Sequence, residues 1–186
     1  MSTAISPVLH ELTGSYTIDP SHSRLGFVAR HAMVTKVRGG FNDFTGTFTI
    51  ADDVAGSNAS LTIQAASVDT RNSDRDEHLR SNDFFAMEEH PEIRFASSDI
   101  VKVDDANYRV TGDLTLRGVT KPVTIDLEYA GSATDPWGNT RVGFEGSTQV
   151  NRKDWGLVWN AALDGGGILV SEKVTLEFEI SATKDA

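Results

Sequence analysis

From Tyr16 onward, apolar and polar residues alternate with a period of two in segment after segment. After an Asp19-Pro20-Ser21 turn, Leu25, Phe27, Ala29 and His31 share one face and Arg24, Gly26, Val28 and Arg30 the other. Gly39-Gly40 reads as a bulge or bend. Phe44, Gly46, Phe48 and Ile50 then alternate with threonines, and Leu61, Ile63 and Ala65 with Thr62 and Gln64. Ile93 and Phe95 begin a strand that runs toward Val103, and Asp104-Asp105-Ala106-Asn107 has the chemistry of a hairpin turn. Tyr108, Val110, Gly112, Leu114 and Leu116 form the next apolar row, and Gly118 turns the chain. Val123, Ile125, Leu127 and Tyr129 follow, then an Asp135-Pro136-Trp137-Gly138 turn. Val142, Phe144, Gly146, Thr148 and Val150 precede a long loop with Trp155, Trp159 and three consecutive glycines. Val174, Leu176, Phe178 and Ile180 make the cleanest row of all.

Rows of this kind predict antiparallel strands with one wet and one dry face. About eight of them, joined mostly by short turns, close naturally into an up-and-down barrel, because closure removes exposed sheet edges. A two-sheet sandwich is the alternative. The fold class is therefore all-β, with one barrel domain over residues 15–186 and a tail over residues 1–14. In the tail, Ser6-Pro7 resembles a helix start and Gly14 a stop, so it reads either as a short helix carrying Val8, Leu9 and Leu12 or as a loose end.

The alternation fails once, after the third row. Residues 67–85 are densely charged and end in Phe84-Phe85. Ser73 suits a helix N-cap with Asp76 three residues on, and Arg80 falls near the negative end of the helix. A helical insertion in a barrel is either a solvated connector or a cover for one end. In the second case Phe84 and Phe85 plug or line a mouth whose polar rim holds Arg75, His78 and Arg80.

The central question is whether the barrel is full or hollow, since eight strands leave an interior that side chains just fill or that holds one small ligand. The inward register carries Phe27, Phe44, Phe48, Phe95, Tyr108, Phe144 and Phe178, together with the small residues Ala29, Gly46, Ala65, Gly112 and Gly146. The glycines either allow the sheet to coil or leave room. A Phe-rich interior with gaps suits a long apolar ligand. We therefore assign Phe27, Ala29, Phe44, Phe48, Ala65, Phe95, Phe144 and Phe178 to a ligand tunnel. His31, Arg75, His78, Phe84, Phe85, Asn151, Arg152 and Trp155 are assigned to its mouth or rim. For His31 the plain alternative is a satisfied residue at a strand end, and for the 151–156 run a charged turn over a packed aromatic.

Composition narrows the functions. A net charge of −10 disfavours nucleic acid as a partner. With no cysteine there are no disulfides, thiolate metal sites or cysteine nucleophile. His31 and His78 could serve as acid/base groups with Asp76 or Asp154, but nothing in the spacing brings them together. His22, His78 and His90 fit no common metal site. The N-terminus lacks the basic and apolar regions of a signal peptide, so the expected location is cytoplasmic.

Six stretches in chain order resemble the YceI-like family of polyisoprenoid-binding, lipocalin-like proteins. They are Asp19-Pro20-Ser21-His22-Ser23 leading to Phe27 and His31; Gly40-Phe41 with Phe44-Thr45-Gly46; Ser67-Val68-Asp69-Thr70 with Arg75-Asp76-Glu77-His78-Leu79 and Asp83-Phe84-Phe85; His90-Pro91-Glu92-Ile93-Arg94-Phe95; Gly112-Asp113-Leu114-Thr115-Leu116-Arg117-Gly118-Val119-Thr120-Lys121-Pro122-Val123; and Asn151-Arg152-Lys153-Asp154-Trp155-Gly156. The resemblance implies an eight-stranded antiparallel barrel with a short helical insertion after the third strand. It implies an apolar tunnel for an isoprenoid chain, such as a prenyl quinone or polyprenyl phosphate, and homodimers. The family has no established catalytic residue, so none is carried over, and no metal or required cofactor is expected beyond a bound isoprenoid lipid.

The expectation is a non-enzymatic binder of a long-chain isoprenoid lipid that touches membranes transiently. The headgroup is expected near the insertion and the 151–159 loop, with Arg75, Arg80 and Arg152 for a phosphate or His31, His78 and Asn151 for a quinone carbonyl. The rivals are an enzyme using the same pocket and a filled barrel serving as an interaction module.

Overall fold

The computed structural model describes residues 12–186. The expected helix or loose end over residues 1–14 lies almost wholly outside the described residues; Gly14 itself opens the first strand. Among the described residues there are eleven strand segments: β1 (Gly14–Ile18), β2 (Arg24–His31), β3 (Thr35–Phe41), β4 (Phe44–Ile50), β5 (Asn58–Gln64), β6 (Val68–Asp69), β7 (Glu92–Lys102), β8 (Asn107–Leu116), β9 (Val119–Thr134), β10 (Thr140–Asn151) and β11 (Lys173–Lys184). The one α-helix among the described residues, α1 (Ser73–Arg80), follows β6.

These segments make eight staves. β1, β4, β5, β7, β8, β9, β10 and β11 pair in that order, and β11 returns to β1, closing an antiparallel barrel. β2, β3 and β6 prolong the staves begun by β1, β4 and β5: β2 pairs with β11 and β3, and β3 with β6. The alternation of the sequence survives as burial. Along β9, Val123, Ile125 and Tyr129 are buried whereas Thr124, Asp126 and Glu128 are exposed.

Asp19 makes the kink between β1 and β2. Its carboxylate accepts from the backbone N–H and hydroxyl of Ser21 and binds His22 Nδ1 at 2.7 Å, and Arg141 on β10 donates to it at 2.9 Å. These bonds, led by that from the Ser21 side chain, hold the Asp19 carboxyl well below the usual carboxylate range. The β8–β9 turn places Arg117 and Gly118 both at positive φ, the geometry that matches strand twist in a tight hairpin.

Three local expectations need correction. Gly39-Gly40 is no bend: both residues sit in β3 in unbroken register with Phe27 and Gly26. A Cβ on Gly39 would lie 2.3 Å from Phe27 Cζ, so the glycine is there to let that ring lie flat on the neighbouring strand. The helix cap is Asn72, one residue before Ser73, with its side chain accepting from the Arg75 N–H. Ala65 is not on a strand: it begins a 3₁₀ turn between β5 and β6 and is fully buried.

Candidate functional site

The barrel is hollow. Inward-facing Phe27, Phe48, Leu61, Phe95, Phe144 and Phe178 pack on the core yet remain only partly buried, because the surface they keep faces a cavity inside the barrel. The cavity measures about 300 Å³, twice the volume of about 150 Å³ that elsewhere stays dry and accepts benzene. On β8 its lining runs from Tyr108 to Leu116. Eight residue steps at about 3.4 Å, foreshortened by a tilt of about 40°, give a length of roughly 20 Å.

The way the hollow arises was not legible from small residues as such. The inward-register glycines do not leave gaps that stay open; neighbouring rings, aliphatic side chains and backbone fill them. Phe27 lies over Gly39, and the Phe95 ring comes within 2.5 Å of where a Gly112 Cβ would stand. Rings laid flat along the wall leave the centre empty.

Of the eight residues assigned to the tunnel, Phe27, Ala29, Phe48, Phe95, Phe144 and Phe178 line the cavity. Phe44 and Ala65 do not. Phe44 is 3% exposed, pairs across to Ile63 and belongs to the packed core. Ala65 is held in its turn by a bond from its N–H to the Pro91 carbonyl.

The insertion covers one end of the barrel. Leu79, Phe84, Phe85, Trp155 and Leu157 line the cavity there, and all but Leu79 are buried. Phe85 meets Phe41 edge-on, and Trp155 is fixed by its Nε1–H donating to the Leu114 carbonyl at 2.9 Å. Asp76, buried on α1, accepts from both the N–H and the hydroxyl of Thr70 and ties the helix to the chain that leads into it.

The polar groups assigned to the rim are committed elsewhere. Arg75 donates to the hydroxyl and carbonyl of Thr70, and Arg80 to the carbonyls of Ala66 and Val68. Among the described residues Arg152 is the only charged one on the lining, and each of its three guanidinium nitrogens donates to a main-chain carbonyl: Leu157, Val170 and Ser171. Burial pushes its pKa down. It is a clamp that shapes the 157–171 loop. Asn151 caps the following 3₁₀ turn by accepting from the Lys153 N–H.

His31 is exposed, because β2 outruns β11 there and no interior remains to face. Its bridge is to Val170. His78 pairs with Asp83 at 2.8 Å, stands edge-on to Phe84 and Trp159, and has no hydrogen bond to Asp76 or Asp154. Among the described residues no three His, Asp or Glu side chains come together as a metal set.

The opposite end carries a tyrosine cluster, of which Tyr108 was expected to point inward but none was assigned to the site. All three tyrosines of the chain, Tyr16, Tyr108 and Tyr129, are buried on the inward face there. Tyr16 stacks on Phe48 at 5.1 Å, Phe48 meets Phe144 edge-on, and Phe144 packs on Tyr129. The signal was present as tyrosine among phenylalanines in the apolar register.

The comparisons agree with this architecture. The profile of the YceI-like domain matches residues 16–182. A UPF0312 protein of Photorhabdus laumondii is 44% identical over 147 residues, 77% of this chain and 76% of that one. One of Vibrio parahaemolyticus is 34% identical over 84% of this chain and 85% of its own. Burkholderia cenocepacia BcnA superposes with a TM-score of 0.79 at 24% identity, covering 89% of this chain and 99% of BcnA. A polyisoprenoid-binding domain of Saccharophagus degradans, implicated in plant cell wall breakdown, gives 0.70 at 18% identity over 91% and 98% of the two chains. With its closed eight-stave barrel, the helix α1 after the third stave and a profile match from β1 into β11, the chain belongs to the YceI-like family.

Proposed function

We propose that this protein holds a neutral long-chain isoprenoid lipid, a prenyl quinone or prenol, inside the barrel without transforming it. The observation that carries the reading is the long apolar cavity between partly buried phenylalanines. Each five-carbon unit placed there brings about 4 kcal/mol of gross apolar burial at about 0.8 kcal/mol per carbon. Three such units offset most of an association cost of about 4–15 kcal/mol, so a long chain binds where a single unit would not. The polyisoprenoid-binding description of the Saccharophagus degradans domain supports the same ligand class.

A polyprenyl phosphate is the poorer fit. The one cation on the lining among the described residues is Arg152, and its nitrogens are engaged by carbonyls. No cofactor or metal is needed for this role. Exchange with a membrane would use the hairpin between β2 and β3. Met33 and Val34 at its tip are 61% and 76% exposed, and Ala29 and Val170 beneath it line the cavity.

The test is a titration of the delipidated protein with a neutral prenyl lipid, read by tryptophan fluorescence, since Trp155 borders the cavity. Saturable, stoichiometric change with a prenyl chain and none with a short polar solute supports the reading. No change with any prenyl lipid refutes it.

A further inference from the structure

Residues 20–42 hold none of the chain's 27 aspartates and glutamates but four of its 17 lysines and arginines. No other stretch of this acidic chain runs so long without an acidic side chain. Its centre is the ribbon of β2 and β3. There Arg30 pairs with Lys36, Val28 with Arg38, and Ala29 with Val37. Side chains alternate across a strand and Ala29 lines the cavity, so Arg30, Lys36 and Arg38 stand on the outer face with Arg24. Lys173 on β11 shares that face, two residues from Thr175, the partner of Val28.

Most of this charge is not neutralised. Arg24 and Arg38 share one carboxylate, Glu177, at 3.1 and 3.4 Å, and Glu179 sits opposite Arg24 at the root of the ribbon. Arg30, Lys36 and Lys173 are exposed and, among the described residues, form no ion pair. Arg30 Nη1 donates to the Val34 carbonyl at 3.3 Å, which leaves its charge uncompensated. The 157–171 loop, tied to the hairpin through Leu169 and Val170, brings one acid, Asp164.

The tip is apolar. Ala32 and Met33 both have positive φ, and the Val34 N–H donates back to the His31 carbonyl at 3.0 Å, closing a tight turn. Such turns favour glycine or asparagine. Alanine and methionine are strained there, and strain of this kind gathers at functional sites. The turn holds Met33 and Val34 out to solvent.

We propose that the β2–β3 ribbon docks the barrel on an anionic phospholipid bilayer. Met33 and Val34 enter the headgroup layer, and Arg30, Lys36 and Lys173 meet lipid phosphates. The chain as a whole, at a net charge of −10, is repelled by such a surface, so the ribbon is the face that can approach it. That orientation turns the Ala29 and Val170 side of the cavity toward the bilayer. The inference rests on the isoprenoid-binding reading and its exchange hairpin, and it adds the class of membrane and the groups that select it.

The experiment is cosedimentation of the full chain with vesicles of phosphatidylcholine alone or mixed equally with phosphatidylglycerol. It is run at low salt and at about 1 M salt, where the Debye length is about 3 Å. Wild type should bind the mixed vesicles at low salt, prefer them at least about tenfold over phosphatidylcholine, and be released by salt. Arg30→Glu with Lys36→Glu should weaken that binding more than about tenfold, since each cation at an anionic surface is worth about fivefold. Lys102→Glu with Lys184→Glu makes the same change of net charge at the tyrosine end, where these residues pair with Tyr108 and Tyr16, and should weaken it less than about threefold. All four side chains are exposed, so both variants should melt within about 2 °C of wild type. Equal binding to both vesicle types, equal losses in the two variants, or binding that survives salt would overturn the docking surface. Wild type that takes up geranylgeraniol in solution but ignores anionic vesicles would overturn the docking alone. Wild type that docks as described but takes up no prenyl lipid would support the docking and refute the isoprenoid reading.

Discussion

Replacing Leu176 by tryptophan separates a hollow barrel from a full one by the sign of its effect. Leu176 is the fourth of the twelve residues of β11, opposite Thr148 on β10 and Phe27 on β2, and it lines the cavity. In a filled core the added bulk would be overpacking, which costs about 1–3 kcal/mol. Here the indole enters a void of about 300 Å³. Two or more methylene-equivalents newly buried at about 0.8 kcal/mol each contribute about 1.5 kcal/mol, less the rotamer freedom the ring gives up. The ligand-free variant should therefore match or exceed wild type in stability. For a chain of this size about 1 kcal/mol corresponds to about 2–4 °C in Tm. The same indole occupies space the lipid needs, so prenyl-lipid affinity should fall more than about tenfold. The assays are thermal unfolding by circular dichroism after delipidation and a lipid titration on the same samples. A Tm lowered by several degrees with unchanged lipid binding would refute the argument, for it would mean that the interior is packed and the ligand lies elsewhere.

Three other perturbations probe the parts that shape the cavity. Asp19→Asn should cost about 1 kcal/mol at neutral pH, because the kink bonds weaken. Since the folded carboxyl titrates below its unfolded value of about 3.9, the difference between wild type and variant should be constant above about pH 5 and shrink below about pH 4; urea midpoints across pH read this, and a pH-independent difference would contradict it. Arg152→Ala should cost about 3 kcal/mol and speed amide exchange across residues 157–171, and Arg152→Lys should not restore it, because one ammonium cannot serve three diverging carbonyls. Met33→Asp with Val34→Asp should leave Tm within about 2 °C, as both side chains are exposed. The pair should also slow lipid transfer from vesicles severalfold, measured with a fluorescent prenyl lipid; unchanged transfer would remove the hairpin from the exchange route.

The staves were legible because each carries one wet and one dry face, and burial along β9 follows that alternation residue by residue. β3 escaped notice because Thr35-Lys36-Val37-Arg38-Gly39-Gly40-Phe41 offers almost no apolar row; its glycines answer to Phe27 on the next strand, a contact no local pattern reveals. Phe44 shares its register with Phe48, and sequence could not say that its ring is packed away from the cavity. The arginines misled for a different reason. Arg75, Arg80 and Arg152 announce charge, but the carbonyls that absorb that charge belong to turns at 66–70 and 157–171, whose path the sequence does not disclose. Tyrosine in an apolar row was readable as inward-facing, whereas the isolation of the Tyr129 hydroxyl emerges only when every neighbour is in place.

Whether the barrel carries an isoprenoid lipid, as proposed, is read most directly by mass spectrometry of the native protein. The protein would be purified without detergent, extracted with organic solvent and assayed again after incubation with membrane lipids. The account predicts a stoichiometric neutral prenyl lipid, lost in the Leu176→Trp variant. An empty extract both before and after incubation, or one dominated by lipids without an isoprenoid chain, would contradict it.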